Sequence, residues 1–381
     1  VTYSIVTIID TEGMPQKQRD SVVSFCAAIF LIFTLPSHAD IDKESLKSSS
    51  NLKLSGYLES YYVNPRHNDG DLPNYVYSYQ QTEQLNINLG LIQAKYSSDA
   101  VRANLGIASG TFMRANYAKE SGVLNNLYQA NIGFRLSDHQ QWWLDMGVLP
   151  SHIGLETAKG NENWALTRSL MADNTPYFET GAKLSFTSQD QRWTVAGLVL
   201  NGWQRIRRQA DNTLPAIGHL ISYQSPSGIL INSSSFIGSD TPDHDRKMRY
   251  FHHFNMQIPM TEQLQMQLAW DIGAEQAEKS SSRYYVWHAP LIQARYQWNP
   301  EWSMTARLEA YQDPKEVMIQ RVGDRGFRAS AFSSNIDFRP NTSIMYRIEL
   351  KKINVSGDDS YEATHQSHDN LLLTTLLALE F

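Results

Sequence analysis

The chain has 381 residues, 33 Lys and Arg against 39 Asp and Glu, a net charge of −6 and one cysteine. This mild acidity lacks the basic footprint that nucleic-acid binding needs, and one cysteine excludes a disulfide scaffold or a cysteine metal site. The length suits two soluble domains, yet the sequence shows no Pro- or Gly-rich linker, no shift in composition and almost no helical periodicity.

In chain order, residues 1–13 precede Met14 and read as an upstream extension. Residues 14–39 have the form of a secretory signal peptide: Lys17 and Arg19, then the apolar run SVVSFCAAIFLIFTLP at 21–36, then Ser37-His38-Ala39 as the small-x-small cleavage site. The run is short of the roughly 20 residues of a transmembrane helix. Cys26 lies inside it, not at the cleavage site where a lipid-acceptor cysteine belongs. Cleavage after Ala39 leaves 31 basic and 36 acidic residues, a net charge of −5, and no cysteine. Residues 40–51 read as a periplasmic tail. No second long apolar run follows, so any membrane crossing is made by strands.

From residue 52 onward the dominant signal is two-residue alternation, which sends apolar and polar side chains to opposite faces of a strand. It is clearest at 263–275, with Leu264, Met266, Leu268, Trp270 and Ile272 against Gln263, Gln265, Gln267, Asp271 and Glu275. Leu85, Ile87, Leu89 and Leu91 alternate with Asn86 and Asn88, and Tyr128, Ala130, Ile132 and Phe134 with Gln129, Asn131 and Arg135. Near the end, Ile344, Tyr346, Ile348 and Leu350 alternate with Arg347, Glu349 and Lys351. The segment 192–201 is apolar at both parities, which leaves its register open.

Connections alternate between short and long. Turn formers cluster at 97–99, 137–141, 188–191, 225–228, 259–262, 299–301 and 339–342. Long polar segments lie at about 64–82, 113–126, 150–178, 202–216, 238–247, 276–286, 313–326 and 353–368. Seven turns and eight loops require sixteen strands. An even strand number, turns on one side and loops on the other predict an all-β, antiparallel up-and-down barrel of the bacterial outer membrane, spanning 52–381 with 14–18 strands allowed. Its surroundings would be outer-membrane lipid and lipopolysaccharide.

Tyr96, Trp142, Trp193, Tyr223, Trp298, Trp302 and Phe338 fall beside short turns, and Tyr62, Phe112, Tyr128, Phe178, Trp203, Trp287, Tyr311 and Phe327 beside long loops. Two aromatic girdles are therefore expected. The last segment, NLLLTTLLALEF at 370–381, ends on Phe381 and is similar in kind to the signal read by the barrel-insertion machinery.

Several stretches resemble the putative β-barrel porin family described as OmpL-like. They include SGYLESYYV (55–63), VRANLGIASGTFMRANYAKESGVLNNLYQANIGFRL (101–136), WLDMGVLPSHIGLETA (143–158), NWALTRSLMADNTPYFETGAKL (163–184), NGWQRI (201–206) and MRYFHHF (248–254). The resemblance implies an outer-membrane barrel of porin type and carries neither a substrate nor functional residues.

A sixteen-strand barrel is wide enough to hold an aqueous channel. Charged residues at inward parity would bias its ions: Arg102, Arg135, Asp145, Glu179, Lys183, Asp271, Glu275, Arg295, Arg307, Glu309, Arg347, Glu349 and Lys351. Both signs occur, so weak selectivity is expected. The longest loop, 150–178, is the candidate constriction, with Glu156, Lys159, Glu162, Arg168 and Asp173 and a possible short amphipathic helix at 161–173.

The clustered histidines at Asp243-His244-Asp245, His252-His253 and His365-x-x-His368 lack a positioned nucleophile. The resulting expectation is a passive pore for small hydrophilic solutes with no cofactor, metal or catalytic group and no nucleic-acid partner. A barrel hydrolase and an adhesin or structural barrel acting through its loops stand as alternatives, and monomer and trimer both stay open.

Overall fold

A computed structural model describes residues 51–65, 72, 75–137, 141–320, 326–356 and 370–381. The segments read from sequence as an extension (1–13), a signal peptide (14–39) and, but for its last residue, a periplasmic tail (40–51) lie outside the described residues.

Sixteen strands form: β1 (Leu52–Pro65), β2 (Asn86–Ser97), β3 (Val101–Ser109), β4 (Leu127–Arg135), β5 (Gln141–Pro150), β6 (Phe178–Thr187), β7 (Trp193–Leu200) and β8 (Ala216–Gln224), then β9 (Leu230–Gly238), β10 (Arg249–Pro259), β11 (Leu264–Gln276), β12 (Tyr284–Gln297), β13 (Trp302–Asp313), β14 (Phe327–Phe338), β15 (Ile344–Val355) and β16 (Asn370–Glu380). Each pairs antiparallel with its sequence neighbours, and β1 pairs with β16 to close the barrel. Closure removes both sheet edges, so every strand finds hydrogen-bond partners on both sides. At the seam Gly56 and Phe381 exchange backbone hydrogen bonds of 2.7 and 3.0 Å. The Phe381 ring lies directly over Gly56, where a Cβ would sit 2.3 Å from a ring carbon.

Alternation sorts the two faces. On β13, Ser303, Thr305, Arg307, Glu309, Tyr311 and Asp313 are buried, while Trp302, Met304 and Leu308 are exposed on the outside. The outer face also carries a hydrogen-bonded polar group, at the parity of exposed Ile217, Ile221 and Phe254: His219 with Ser233 and Ser235, and Ser233 with His252. The ambiguous segment becomes β7, with Val195 and Val199 outside and Ala196, Leu198 and Leu200 in an apolar interior cluster. Its apolar inner face belongs to one buried cluster with loop residues such as Ile153 and Leu170.

Two expectations are corrected. Leu85, Ile87, Leu89 and Leu91 do not share a face: the β1–β2 register shifts between Glu59 and Ser60, and Leu89 and Leu91 turn inward while Ile87 stays outside. Such a bulge adds one residue on one strand and so inverts parity beyond it. The aromatic girdle forms at the short-turn end, where Trp142 meets Phe186, Trp193 meets Tyr223 and Trp302 meets Phe338. At the long-loop end Phe112, Phe178, Trp203, Trp287, Tyr311 and Phe327 are buried inside the barrel, and Tyr128 packs against the same interior. These rings cover the apolar sides of loops that enter the lumen, a larger burial than the head-group layer offers. Exposed Tyr250 and Tyr284, 5.8 Å apart, face outward at that end instead.

The outer face of β13 gives a direct test. Leu308→Arg places a charge against hydrocarbon and should cost about 2–4 kcal/mol if the site lies near the midplane. Urea titration of folding into lipid vesicles measures this, and unchanged stability would contradict the assignment of faces.

Candidate functional site

All thirteen charged residues predicted at inward parity lie on inner-face positions, but most are already engaged. Near the short-turn end, Arg102 makes a two-pronged contact with Asp145 at 2.7 and 2.5 Å and stacks on Trp143, and Lys183 stands 3.9 Å from the same carboxylate. Arg135 and Arg295 each keep a buried Nε without a partner among the described residues, and Arg295 donates to Ser303. Asp271 is buried 2.5 Å from His253 Nδ1, and the other ring nitrogen of His253 meets the Asn255 amide at 2.8 Å. That imidazole therefore has no nitrogen left for a nucleophile. Glu275 pairs with Arg249 at 2.6 Å. Glu179 is fully buried, with neither carboxylate oxygen hydrogen-bonded among the described residues.

The remaining five, on β13 and β15, grip the longest loop. Residues 151–177 cross the barrel interior and are held by consecutive strands from β13 through β16 to β1. Arg347 donates to the carbonyls of Gly160, Ala165 and Asn163 at 3.1, 2.9 and 2.9 Å, and is itself oriented by Asp337 at 2.6 Å. Glu349 accepts the N–H groups of Leu166 and Thr167 and the Thr167 hydroxyl. Glu309 accepts Leu170 N–H at 2.6 Å, Arg307 donates to Thr167 O at 2.9 Å, and Lys351 donates to Arg168 O at 3.0 Å while pairing with Glu309. On β1, Glu59 accepts the Gly160 N–H at 2.8 Å, and a Cβ at residue 160 would meet that carboxylate at 2.3 Å. Buried backbone groups outside a ladder need such partners, and charged partners give hydrogen bonds worth about 1.5–3 kcal/mol each.

These bonds explain why the helix expected at 161–173 is reduced to a 3-10 turn at Gly160–Glu162 and one α turn at Leu170–Asp173. The wall takes the N–H and C=O groups that an α-helix would pair internally.

The five loop residues singled out by sequence divide in function. Glu156 caps the Ser169 N–H and meets Arg307 at 3.2 Å; Lys159 reaches Glu380 at 2.8 Å; Glu162 accepts from Thr157. Arg168 is buried, donating to Ala158 O and to the Tyr79 hydroxyl. Asp173 accepts from Ser78 Oγ at 2.8 Å and Tyr77 N at 3.3 Å, joining the segment at 75–81 to the long loop. At the loop's start, His152 Nε2 lies 2.8 Å from Ser235 O, and burial pushes its imidazole down to about 4, leaving it neutral.

With this arrangement known, relatives can be compared. The family described as Putative beta-barrel porin-2, OmpL-like, matches residues 51–381. The chain belongs to this family. Its barrel resides in the bacterial outer membrane, and the family's character is that of a channel for passive diffusion of solutes. The barrel is similar to the outer-membrane channel DcaP of Acinetobacter baumannii (TM-score 0.58, 10% identity, 87% of this chain and 97% of that one covered). It is similar also to OmpF of Salmonella typhi, solved with daunomycin (0.56, 11%, 87% and 97%), and to the trimer form of OmpT of Vibrio cholerae (0.56, 7%, 87% and 99%). At these identities the likeness shows the fold. No curated protein matches the chain by sequence.

Among the described residues, no group of three or more His, Cys, Asp and Glu is arranged to hold a metal. Asp243-His244-Asp245 forms a 3-10 turn in which Asp243 accepts from Thr213 and Arg246. His365 and His368 lie outside the described residues. Sequence reasoning passed over Glu59 and Asp337, although both sit at inward parity on their strands. It also passed over Lys119, Arg205 and Arg249 around the long-loop mouth, the first two lying in loops without periodicity.

Burial pushes the Asp173 carboxyl up to about 6, against the Ser78 hydrogen bond and the nearby positive charges of Lys351 and Arg168. Between its ordinary value near 3.8 and about 6, the folded state holds this proton while the unfolded chain has lost it. Stability from this residue is thus full below that window and falls as pH rises through 6. Thermal denaturation of the wild type and Asp173→Asn from pH 4 to 8 should show a pH-dependent difference confined to that window; a difference independent of pH would contradict it.

Proposed function

We propose that this barrel is a constricted diffusion pore for small hydrophilic solutes and ions, in which residues 151–177 set the narrowest part of the path. The observation that carries this reading is the attachment of the loop to five consecutive strands of the opposite wall, through its backbone to β13, β14, β15 and β1 and through the Asn161 side chain to β16. A loop held by both its N–H and C=O groups keeps a fixed cross-section, so passage depends on the spaces beside it. Transport then needs no cofactor and no catalytic group: the solute gradient drives it, and the wall selects by size and charge. The short turns, the start of β1 and the end of β16 face the periplasm, the long loops the exterior, as is general for bacterial barrels.

Support for a pore rather than a hydrolase comes from where the polar groups spend their hydrogen bonds. The interior histidine His253 is saturated by Asp271 and Asn255, and the interior carboxylates Glu309 and Glu349 accept backbone N–H groups of the loop. In this reading the terminal strand ending on Phe381 is the segment presented to the barrel-insertion machinery.

Deleting 157–172 should raise single-channel conductance several-fold in planar bilayers, since it removes the clamped span and leaves its wall partners facing water. Unchanged conductance in a deletion variant that still folds, judged by its heat-modifiable gel mobility, would reject the constriction. Absence of conductance in both proteins would favour an adhesin or structural barrel.

A further inference from the structure

Six of the long connections, at 75–81, 110–126, 151–177, 201–215, 239–248 and 314–320, meet β10 around a cavity of about 460 Å3 at the long-loop end. Its charged lining is Lys119, Arg205 and Arg249 against Asp173 and Asp240. These charges are unequally satisfied. Arg249 is held by Glu275 at 2.6 Å and Asp240 at 3.8 Å, and its guanidinium lies on Trp203. Asp240 also accepts the Trp203 N–H at 2.9 Å, and Asp173 is engaged by Ser78 and Tyr77.

Lys119 and Arg205 have no such partners. Among the described residues neither makes a salt bridge; Lys119 makes no hydrogen bond, and Arg205 donates only to Gln209, leaving its buried Nε unpaired. Lys119 stands at the exposed rim of the cavity and Arg205 is half-buried; the loops that flank the Lys119 ammonium, and then the positive charges of Arg205 and Arg249, push it below the ordinary range, with Asp240 opposing. Two cations crowded at one cavity without carboxylates of their own form an electrostatic vacancy for negative charge, because an anion relieves their repulsion as well as satisfying their donors.

We propose that this cavity is a binding site for a small organic anion bearing carboxylate or phosphate groups, with Lys119 and Arg205 as the anion-holding pair. The volume falls within the roughly 300–1,000 Å3 of small-molecule sites. Gln204 and Asn116, whose amides are bonded to neighbouring backbone groups, fix the polar part of the wall, and Val317 and Met318 add apolar surface, so the cavity suits an organic skeleton as well as its charged ends. A site at the mouth concentrates anions ahead of the constriction, and thereby confers an anion preference that the mixed charges deeper in the lumen do not. This deepens the diffusion-pore reading and rests on it for its role in transport, though not for binding itself.

The test separates the two. Citrate and inorganic phosphate are titrated against the full-length protein in detergent by calorimetry, and against its current in planar bilayers. Binding of citrate by the wild type, weakened about tenfold or more in Lys119→Gln/Arg205→Gln, supports the site; tenfold corresponds to about 1.4 kcal/mol. Lys119→Gln alone, at a side chain with no structural bond, keeps the comparison valid if the double variant misfolds, and should weaken binding about threefold. Arg283→Gln, at an exposed side chain outside the cavity, should change nothing. Binding that is absent, or equal in wild type and variants, overturns the proposal. Citrate stronger than phosphate identifies carboxylate as the preferred group, and the reverse order phosphate; either supports the site. Binding without any conductance leaves the site standing and removes the diffusion-pore reading.

Discussion

The structure depends on one exchange of hydrogen bonds: inward charges of β13, β15 and β1 against the backbone of the loop at 151–177. A sixteen-strand wall encloses more space than its own side chains fill. A loop entering that space leaves its ladder behind and must satisfy its N–H and C=O groups elsewhere. Charged wall residues have the complementary problem, since an unpaired buried charge is costly. Arg347, with Asp337 behind it and three loop carbonyls before it, answers both needs at once, and Glu349 does the same for two N–H groups and a hydroxyl. The loop conformation, the loss of helix at 163–169 and the inward turn of the aromatic residues all follow from this contact.

The barrel was legible because its signals are local. A strand exposed to lipid outside and to polar groups inside alternates every second residue, and the turn formers between 97 and 342 separate hairpins without reference to tertiary contacts. Parity predicts which way a side chain points, but not what it meets. Arg307 and Arg347 were correctly placed inward, yet nothing in their spacing says that a loop some 140–187 residues earlier occupies the space before them. Where a residue is added, parity fails outright, as at the β2 bulge beyond which Leu89 turns inward. The long-loop aromatics misled for a related reason: Trp203 and Phe327 stand at the expected height, but the interior at that height is apolar and draws them in.

This distinction also bears on charge. Thirteen inward ionisable residues of mixed sign suggested a weakly selective lumen. Most of that charge is internally compensated: Arg102 with Asp145, Arg249 with Glu275, Lys351 with Glu309, Arg347 with Asp337. Compensated pairs exert little net field on a passing ion, and what remains governs its preference. Two further cations without a carboxylate partner among the described residues, Lys119 and Arg205, lie in loops, where neither alternation nor spacing marks them, and only the convergence of six connections around one cavity brings them together.

The outer face obeys the same economy in the opposite medium. His219, Ser233, Ser235 and His252 occupy positions that parity assigns to lipid, where an unsatisfied polar group costs several kcal/mol. Their mutual bonds of 2.6–3.2 Å let each side chain meet that requirement from its neighbours rather than from water. On both surfaces of this barrel most polar side chains thus draw their partners from the protein itself. Lys119 and Arg205, two cations that line one cavity and have no carboxylate partner among the described residues, are the pair whose counter-charge should come from outside the chain.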